Sequence, residues 1–594
     1  MLRSSHFGRG RLCPGTLTRT STLPPLTSEA ATLGASSDAQ GRSAPADGRG
    51  SPGVLLCLAG ALACSATLLL TFQSKLTFIG DDWQFLLGRR GTSVGVFLDP
   101  HNNHIAVLPV AIYKALLATF GMGSSLPFSV VSTLVFLMSV VLLFTYLRRR
   151  VGDWPALLGS ILILFLGAAW VDLLWSFQIG YSGGIAAGLA ALLALERDDP
   201  KGDWIACGLL VVATGFSEIG VVFVLGALVS IAAGPRPRRQ RFYVGLLPLL
   251  LYAIWFLGWG HKGPDTLTFH NVLNSPAYVF DAVSQAIASL LGLATPLTGN
   301  ESDPVGLLWG HILFIVMAAL ALWRIRQLGG ISRGLLTALT VGGAFWFLGA
   351  FNAYLDLRAP TNGRYQYPGA VFVLLIAAEL LRGVRVDKRV LAGAAAVTAA
   401  AVVSGIFFLH DGYRVQKTES DVERARLAAL DIARPSVNPD REVNLELFTQ
   451  FPAGSYYSAV DAFGSPGYAD SQLATSAEEN RVAADAMFAA ILGIRLIPSA
   501  TRGGGAQGPC RTASPSGNGQ GLPLGPGAYH LRARSASGAS LHLSRFASVA
   551  SVNLEALSPG QWYSLEIPPD RSTRPWYVTV GGSGPVSVCR APPR

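Results

Sequence analysis

The sequence has few charged residues for its length. Only 14% of its 594 residues are Asp, Glu, Lys or Arg, whereas an ordinary soluble domain has about 25%. A soluble chain this long needs more charge to cover its surface, so the composition excludes a purely cytosolic enzyme. Six cysteines are too few for a disulfide-built scaffold. Half of the residues are hydrophobic and the mean hydropathy is +0.41, which predicts a polytopic α-helical membrane protein.

Long apolar stretches occur throughout residues 53–409. A membrane-spanning helix needs about 20 predominantly apolar residues, or somewhat fewer where neighbouring helices shield it. Eleven stretches satisfy this criterion, although the fifth and sixth are short enough to form one broken span. They lie near 53–72, 127–147, 155–174, 179–195, 204–216, 218–233, 242–260, 306–323, 335–352, 367–382 and 390–409.

Arginines are concentrated in the connections that an eleven-span topology places on one side. Runs occur at 148–150, 236–241, 324–333 and 382–389, and the positive-inside rule assigns such connections to the cytoplasm. Residues 1–52 contain Arg, Ser, Gly and Pro but no apolar run, so we predict a disordered cytoplasmic tail. An odd number of spans then puts everything after about 410 outside the cytoplasmic membrane.

The region after residue 410 differs in composition from the apolar part of the chain. Residues 410–524 are predicted to form a mixed connecting region, with charged helical periodicity between 419 and 441. From 525 to 594, short alternating segments separated by turn residues predict a small β-sandwich. The sequence therefore predicts a helical membrane domain followed by a small extracytoplasmic β-domain.

Cysteines and aromatic residues add two predictions for the β-domain. Cys510 and Cys589 bracket it on the oxidising side, so we predict a disulfide between them. The remaining cysteines, predicted to be free thiols, are Cys13, Cys57, Cys64 and Cys207. Two roles are open for the aromatic side chains of the β-domain, stacking on the sugar rings of a glycan or packing in the core. These aromatic residues are Trp562, Trp576 and Tyr577.

The first outer loop, residues 73–126, is long for a simple connection and carries two adjacent carboxylates. Asp81 and Asp82 follow the first span and precede Trp83. One interpretation is that Asp82 caps a short helix. The other is general-base chemistry, in which one carboxylate activates an acceptor hydroxyl and its neighbour orients it or holds a cation. The apolar stretch 105–120, interrupted by Pro109, is predicted to lie along the membrane interface as an amphipathic helix.

Two histidines in the same loop allow several interpretations. His101 and His104 are three residues apart, so on a helix they would share a face. They could form a metal pair, donate hydrogen bonds to a phosphate, or belong to an interfacial polar patch. His261 and Lys262, after the seventh span, are a second candidate for binding an anionic headgroup.

A second outer loop, near 353–366, carries arginines where other outer connections have few. Guanidinium groups favour bidentate contacts with phosphate, so Arg358 and Arg364 are candidates for gripping an anionic headgroup, with Tyr365 beside them. The alternative is interfacial snorkelling of the arginine side chains. Asp172 and Glu218, at the outer ends of the third and fifth spans, either line the same cavity or cap short helices, and we favour capping for Glu218.

These features together resemble the GT-C glycosyltransferases. The resemblance covers residues 53–409 and rests on Gly80-Asp81-Asp82-Trp83 in a long first outer loop, a juxtamembrane helix and about eleven spans. That superfamily includes protein O-mannosyltransferases, aminoarabinose transferases and mycobacterial arabinosyltransferases. The outer C-terminal domain is also similar to that of arabinosyltransferases, some of which carry carbohydrate-binding sandwiches there.

The resemblance implies an inverting glycosyltransferase that uses a polyprenyl-phosphate sugar donor. Asp81 or Asp82 would be the base, and we favour Asp81. Arg358 and Arg364 would hold the lipid phosphate, and the other substrate-binding candidates are Trp83, His101, His104, Lys262 and Tyr365. The implied acceptor is a cell-envelope glycan, lipid or protein. A divalent metal cofactor stays open, because some members of the superfamily bind one and others do not.

Three other classes of function predict different sequence features. A lipid-linked polysaccharide ligase or polymerase would concentrate its polar residues in a later outer loop, such as 261–305. A transporter would show internal repeats and ionisable residues at mid-membrane, and no repeat is evident. Nucleic-acid binding is not expected, because the net charge of +10 is spread over cytoplasmic loops. Six lysines against forty arginines are typical of a GC-rich bacterial genome.

Overall fold

A computed structural model describes residues 51–234, 238–262, 268–294, 304–353, 358–445, 449–499, 510–515, 521–582 and 584–591. The tail predicted at 1–52 lies outside this part of the chain except for its last two residues, and so does Cys13. Helices make up 66% of the structure, and residues Ser51–Arg594 form one compact unit.

Each predicted apolar stretch coincides with a helix, or with a bent pair of helices. The first helices are α1 Pro52–Gln73, α2 Val94–Leu98, α3 Val107–Phe120, α4 Leu126–Val151, α5 Asp153–Leu164, α6 Trp170–Leu174, α7 Ile179–Leu195, α8 Pro200–Phe216 and α9 Ile219–Ala232. The next are α10 Tyr243–Gly258, α11 Phe269–Leu290, α12 Pro304–Gln327, α13 Arg333–Phe351, α14 Gln366–Leu380 and α15 Lys388–Ala433. Three shorter helices follow, α16 Ala453–Phe463, α17 Asp470–Thr475 and α18 Glu478–Leu492.

Several of these helices are suited to a membrane. Among the described residues, six helices are long and apolar enough to cross one, and a seventh is added if α5 and α6, bent by 42°, count as one span. The six segments are Pro52–Gln73, Leu126–Val151, Ser176–Leu195, Leu307–Gln327, Arg333–Phe351 and Lys388–Ser436. The chain is therefore a mostly helical protein with several candidate membrane-spanning helices.

Helix α11 was not predicted from the sequence, which suggested a loop over 261–305. Its apolar residues are spaced along one face and interrupted by polar ones, so no continuous apolar run marks it. The hydroxyl of Thr268 caps the helix by accepting a hydrogen bond from the backbone N–H of Asn271 (3.1 Å). In the C-terminal half of α11, every residue from Ala282 to Leu290 is buried except Val283, which is partly buried.

Helix α15 joins the apolar part of the chain to the C-terminal region without a break. Its 46 residues span about 69 Å at 1.5 Å per residue. The residues from Leu427 to Leu430 are fully buried. The helical segment predicted between 419 and 441 is therefore the distal part of this one helix as far as Ala433.

Two glycine positions bring α15 close to the break between α5 and α6. A Cβ atom on Gly405 would lie 2.1 Å from the carbonyl oxygen of Phe165, and one on Gly167 would lie 1.7 Å from that of Gly405. Neither distance is compatible with a side chain, so glycine at these positions allows the two backbones to touch.

We expect Gly405→Ala to lower the thermal unfolding midpoint, since overpacking of this kind costs about 1–3 kcal/mol. Gly393→Ala is the matched control, because it lies on the same helix with open space around its Cβ position and alanine favours helix by about 1 kcal/mol. The midpoint is measured in detergent for both variants. Equal midpoints for Gly405→Ala and Gly393→Ala would contradict the close approach.

The C-terminal region contains strands β1 Glu442–Leu445, β2 Thr449–Pro452, β3 Leu496–Ser499, β4 Arg511–Ala513, β5 Leu522–Leu524, β6 Gly527–Ala533, β7 Ser540–Ser544, β8 Val552–Asn553, β9 Trp562–Ile567, β10 Trp576–Gly581 and β11 Val586–Arg590. Strands β1 and β2 pair alone. The others form an antiparallel sheet in the order β5-β10-β7-β8 and a second in the order β3-β9-β6-β11-β4. Buried side chains from both sheets belong to one hydrophobic cluster, as expected for the predicted β-domain.

This β-region starts at β3, before the predicted boundary at residue 525. The sequence pattern did not reveal β3, β4 and β5, because they are short strands in Gly- and Pro-rich sequence. A disulfide joins Cys510 and Cys589, whose Cα atoms are 4.2 Å apart.

Trp576 is 1% exposed and packs against Phe488 in the core. Trp562 and Tyr577 lie on different sheets, so the three aromatic residues do not form a shared glycan-stacking surface.

Candidate functional site

The two histidines of the first loop lie at the ends of a tight turn and not on a helix. His101 and His104 exchange both backbone hydrogen bonds (2.9 and 2.8 Å). The residues between them, Asn102 and Asn103, have φ angles of 47° and 72°. Positive φ at both central positions is the geometry of a type I′ turn, which asparagine tolerates well. The turn brings the two histidines together as cross-strand neighbours.

Arg89 and Lys114 hold this part of the loop in place. The Arg89 guanidinium donates to the carbonyl oxygen of Pro100 (2.9 Å), the residue before His101, and to that of Val96 (3.3 Å). The Lys114 ammonium group on α3 donates to the Arg89 carbonyl oxygen (2.9 Å). The position of the histidine turn therefore depends on two cations that sequence reasoning did not single out.

Asp81 is the carboxylate that remains accessible. Its side chain is 25% exposed, and its Oδ1 lies 3.5 Å from Nε2 of His101. The amide nitrogen of Asn102 lies 3.4 Å from the same oxygen and 3.1 Å from His101 Nε2. An amide group has two donor hydrogens, so Asn102 can orient the carboxylate and the imidazole together. Asp81 keeps one side open to solvent or substrate.

Asp82 is buried and fully engaged. It is 1% exposed, and its carboxylate accepts hydrogen bonds from the Tyr113 hydroxyl (2.5 Å), the Trp175 indole (3.0 Å) and the backbone N–H of Ile79 (3.1 Å). The last of these bonds comes from Ile79, three residues before Asp82 in the chain, so Asp82 does not cap a following helix. It ties the first loop to α3 and to the segment before α7, which is a positioning role.

Burial raises the pKa of Asp82 to about 6, although its three hydrogen bonds favour the ionised form. The folded protein therefore holds this proton more tightly than the unfolded chain. The contribution of Asp82 to the free energy of unfolding is greatest at low pH, and it falls by about 3 kcal/mol as the pH rises from about 4 to about 6.

We expect the unfolding midpoint of the wild type to exceed that of Asp82→Ala by more at pH 5 than at pH 8. The midpoints are measured in detergent across this range, with Asp99→Ala as the control from the same loop. A difference that is constant with pH would contradict the burial of an ionisable Asp82.

Trp83 packs in the interior and does not face a substrate, in contrast to its predicted role in binding. It is 1% exposed and contacts Phe78, Phe451 and Tyr456 at ring-centroid distances of 6.1 to 6.2 Å. Phe451 lies on β2 and Tyr456 on α16. The tryptophan thus joins the first loop to the C-terminal region, a contact across more than 360 residues that the sequence pattern does not reveal.

His104 connects the first loop to Glu218. Its Nδ1 lies 2.5 Å from Glu218 Oε2, and since a carboxylate only accepts, Nδ1 carries the proton when the carboxylate is ionised. Glu218 lies in the turn between α8 and α9, and its side chain makes no capping hydrogen bond to α9, contrary to the favoured prediction. The two side chains are 30% and 35% exposed.

The arginines of the second loop act electrostatically on Glu218. Burial raises the pKa of Glu218, but His104, Arg358 and Arg364 outweigh it and hold the pKa below its usual range. Burial lowers the pKa of Arg364, and this is more than offset by Tyr365, Tyr181 and Asp172. Both groups are therefore charged at neutral pH.

Local contacts fix the two arginines. Arg358 donates to the carbonyl oxygen of Asn352 (3.1 Å), and its own carbonyl accepts from Tyr278 on α11 (3.3 Å). The Arg364 guanidinium lies 5.2 Å from the centre of the Tyr365 ring and interacts with its hydroxyl. Because Tyr278 belongs to a helix that the sequence did not predict, this support was not foreseen.

The predicted site residues thus fall into two halves joined by the histidine turn. Asp81, Asn102 and His101 are in contact in one half. In the other half His104 contacts Glu218, and the charges of Arg358 and Arg364 act on that carboxylate. The side chain of Lys262 lies outside the described part of the chain. The imidazole of His261 approaches the carbonyl oxygen of Phe256 (3.3 Å), near the end of α10.

No three His, Cys, Asp or Glu side chains come together as a metal-ligand group within the described ranges. The described residues therefore do not fit a three-ligand metal site.

Comparisons with protein-family models, with curated proteins and with solved structures found no match to this chain.

Proposed function

We propose that this protein is a membrane glycosyltransferase that transfers a sugar from a polyprenyl-phosphate donor to a cell-envelope glycan, lipid or protein. One observation carries the proposal. An accessible carboxylate, Asp81, lies against one end of the histidine turn, and His104 at the other end contacts Glu218. Arg358 and Arg364, from a loop more than 270 residues further along the chain than Asp81, act electrostatically on Glu218. A base and a cationic anion site are what sugar transfer from a lipid phosphate requires.

The proposed topology has eleven spans, a cytoplasmic N-terminus and an extracytoplasmic C-terminal domain. It is supported by a second group of ion pairs, whose residues this topology places on the cytoplasmic side or, for Glu379, at the cytoplasmic end of the tenth span. These pairs are Arg150–Glu196 (2.7 Å), Arg241–Asp203 (2.7 Å), Arg333–Asp198 (2.9 Å) and Arg150–Glu379. Asp81, His104, Glu218 and the two arginines all belong to the opposite side.

Helix α11 fits the same topology as a helix on the outer side. Near its start, the Asn271 amide donates to the carbonyl oxygen of Phe351 (3.2 Å) at the end of α13. Near its end, the Ser289 hydroxyl donates to the Gln366 side chain (3.1 Å) at the start of α14. Both partners belong to helix ends that the topology assigns to the outer side. The disulfide between Cys510 and Cys589 is in keeping with an oxidising compartment.

In the proposed reaction, Asp81 removes the proton from an acceptor hydroxyl as its oxygen attacks the anomeric carbon of the donor. The bond between that carbon and the phosphate oxygen breaks, and the electron pair leaves with the lipid phosphate. Attack opposite the leaving group inverts the anomeric configuration. Arg358 and Arg364 stabilise the charge that develops on the phosphate, and His101 and Asn102 orient Asp81.

The proposal is tested with wild-type protein in membranes and a panel of polyprenyl-phosphate sugars, with nucleotide sugars as the control donors. We expect transfer from at least one lipid-linked donor and none from nucleotide sugars. Transfer of a preassembled oligosaccharide would instead favour the ligase class. No transfer by folded protein from any lipid-linked donor would contradict the proposal.

A further inference from the structure

A cleft lies between the end of α15 and one face of α16, in the region that the proposed topology places outside the cytoplasmic membrane. Its volume is about 400 Å³, within the range of about 300–1,000 Å³ that is typical of small-molecule sites. One wall is the segment after α15, with Arg434, Val437 and Pro439. The other wall consists of residues that share one face of α16 by their helical spacing, namely Gly454, Tyr457, Ser458 and Asp461.

The charged residues of this lining are one cation and one anion, which pair with each other. The terminal nitrogens of Arg434 donate to the two carboxylate oxygens of Asp461 (2.8 and 2.6 Å). The Arg434 guanidinium lies 5.0 Å from the centre of the Tyr457 ring. The Tyr457 hydroxyl in turn donates to the carbonyl oxygen of Leu430 on α15 (3.1 Å). The tyrosine therefore supports the arginine and fixes the position of the pair.

The pair gives the cleft no net charge but many hydrogen-bonding groups. The Asp461 and Arg434 side chains are 61% and 28% exposed, and their pairing uses only some of the lone pairs of a carboxylate and of the N–H donors of a guanidinium. Beside them lie the Ser458 hydroxyl and the apolar side chains of Val437 and Pro439. A sugar ring complements this combination, because it has hydroxyls at its edge and C–H groups on its faces. An anionic ligand would instead compete with Asp461 for the arginine.

The α16 wall of the cleft is attached to the loop that carries Asp81. The Arg90 guanidinium of that loop donates to the Ser458 hydroxyl (3.0 Å). Trp83 packs against Tyr456 of α16 with the ring centroids 6.2 Å apart. A ligand in the cleft is therefore held by a helix that packs directly against the first loop.

We propose that this cleft binds a neutral sugar residue of the acceptor, other than the residue whose hydroxyl reacts. The inference rests on the proposed function and deepens it, because it selects a glycan from the three acceptor classes. Asp461 accepts hydrogen bonds from sugar hydroxyls and Arg434 donates to sugar oxygens, while Val437 and Pro439 contact the face of the ring.

Two substitutions test the cleft in different ways. Ser458→Trp fills it from an exposed position, so the bulky side chain does not have to enter the core. Asp461→Asn keeps the volume but removes the charge, and the fold should tolerate this because exposed ion pairs contribute little to stability. Each should weaken glycan binding by about tenfold, since hydrogen bonds to charged groups are among the stronger ones. Ser471→Trp, at an exposed serine of α17 outside the cleft, is the matched control.

Binding is measured by saturation-transfer NMR with the purified full chain in detergent and without any donor. The probes are short neutral oligosaccharides of hexoses and of pentoses, and uronic-acid oligosaccharides of equal length are the charged controls. We expect the wild type and Ser471→Trp to bind a neutral oligosaccharide equally, and both cleft variants to bind it about tenfold more weakly. Unfolding midpoints near the wild-type value show that the variants are folded.

Equal binding by the wild type and the two cleft variants would place the glycan elsewhere and overturn the inference. A preference for uronic-acid oligosaccharides, or no binding of any neutral oligosaccharide, would also overturn it. If the wild type nevertheless transfers sugar, the proposed function stands with a lipid or protein acceptor. Because the donor is absent from the binding experiment, a wild type that binds glycan in the cleft but transfers no sugar supports the glycan site and contradicts the proposed function alone.

Discussion

Replacing Asp81 with asparagine is expected to reduce sugar transfer by about 10²- to 10⁴-fold, which is the usual contribution of a general base. The substitution preserves the size of the side chain and an oxygen that can accept from Asn102, but it removes the ability to take a proton. Because Asp81 is 25% exposed and outside the buried network, the fold should be unaffected. The initial rate of transfer at saturating donor is the measurement.

Two other aspartates make this prediction specific. Asp99→Asn changes an exposed carboxylate of the same loop and should leave the rate near the wild-type value. Asp82→Asn should lower stability as well as the rate, because an amide cannot accept from all three donors that surround Asp82. Equal rates for Asp81→Asn and the wild type would remove Asp81 from the reaction.

Arg364→Ala is expected to weaken donor binding by about 30- to 5,000-fold, since truncating one partner of a desolvated charge pair costs about 2–5 kcal/mol. Arg364→Lys should recover only part of this loss, because an ammonium group cannot form the two parallel hydrogen bonds of a guanidinium with phosphate. The measurement is the donor concentration that gives half-maximal transfer, together with binding of farnesyl phosphate.

Arg326→Ala is the control for this experiment. Arg326 is an exposed residue near the end of α12, in a connection that the proposed topology places on the cytoplasmic side. Its substitution should leave donor binding unchanged. If Arg326→Ala and Arg364→Ala weaken binding equally, the loss reflects the overall charge of the protein and not a phosphate site.

The helices and the β-region could be predicted because their signals are local. An apolar run long enough to span a membrane can be recognised from the sequence alone. The alternation of apolar and polar residues in β6, β9 and β10 can be recognised in the same way. Helix α11 shows the limit of that reasoning. Its apolar residues follow a helical period among polar ones, and this pattern is easily taken for a loop when only continuous runs are sought.

The candidate site could be predicted only in part. Asp81, Arg358 and Arg364 stood out as polar groups in otherwise apolar surroundings, which is a signal that sequence carries. The partner of His104 is 114 residues away, and nothing local indicates that Glu218 turns toward it and does not cap α9. Trp83 next to two carboxylates suggests a substrate contact, although its partners on β2 and α16 make it a core residue.

The most direct test of the account is a single reaction with purified, folded wild-type protein, a lipid-linked donor and an acceptor. The amounts of glycoside formed and of polyprenyl phosphate released are measured together, and the anomeric configuration of the product is determined. The account predicts equal amounts of the two products and inversion at the anomeric carbon. Release of lipid phosphate without glycoside, or a product of retained configuration, would contradict direct transfer assisted by Asp81.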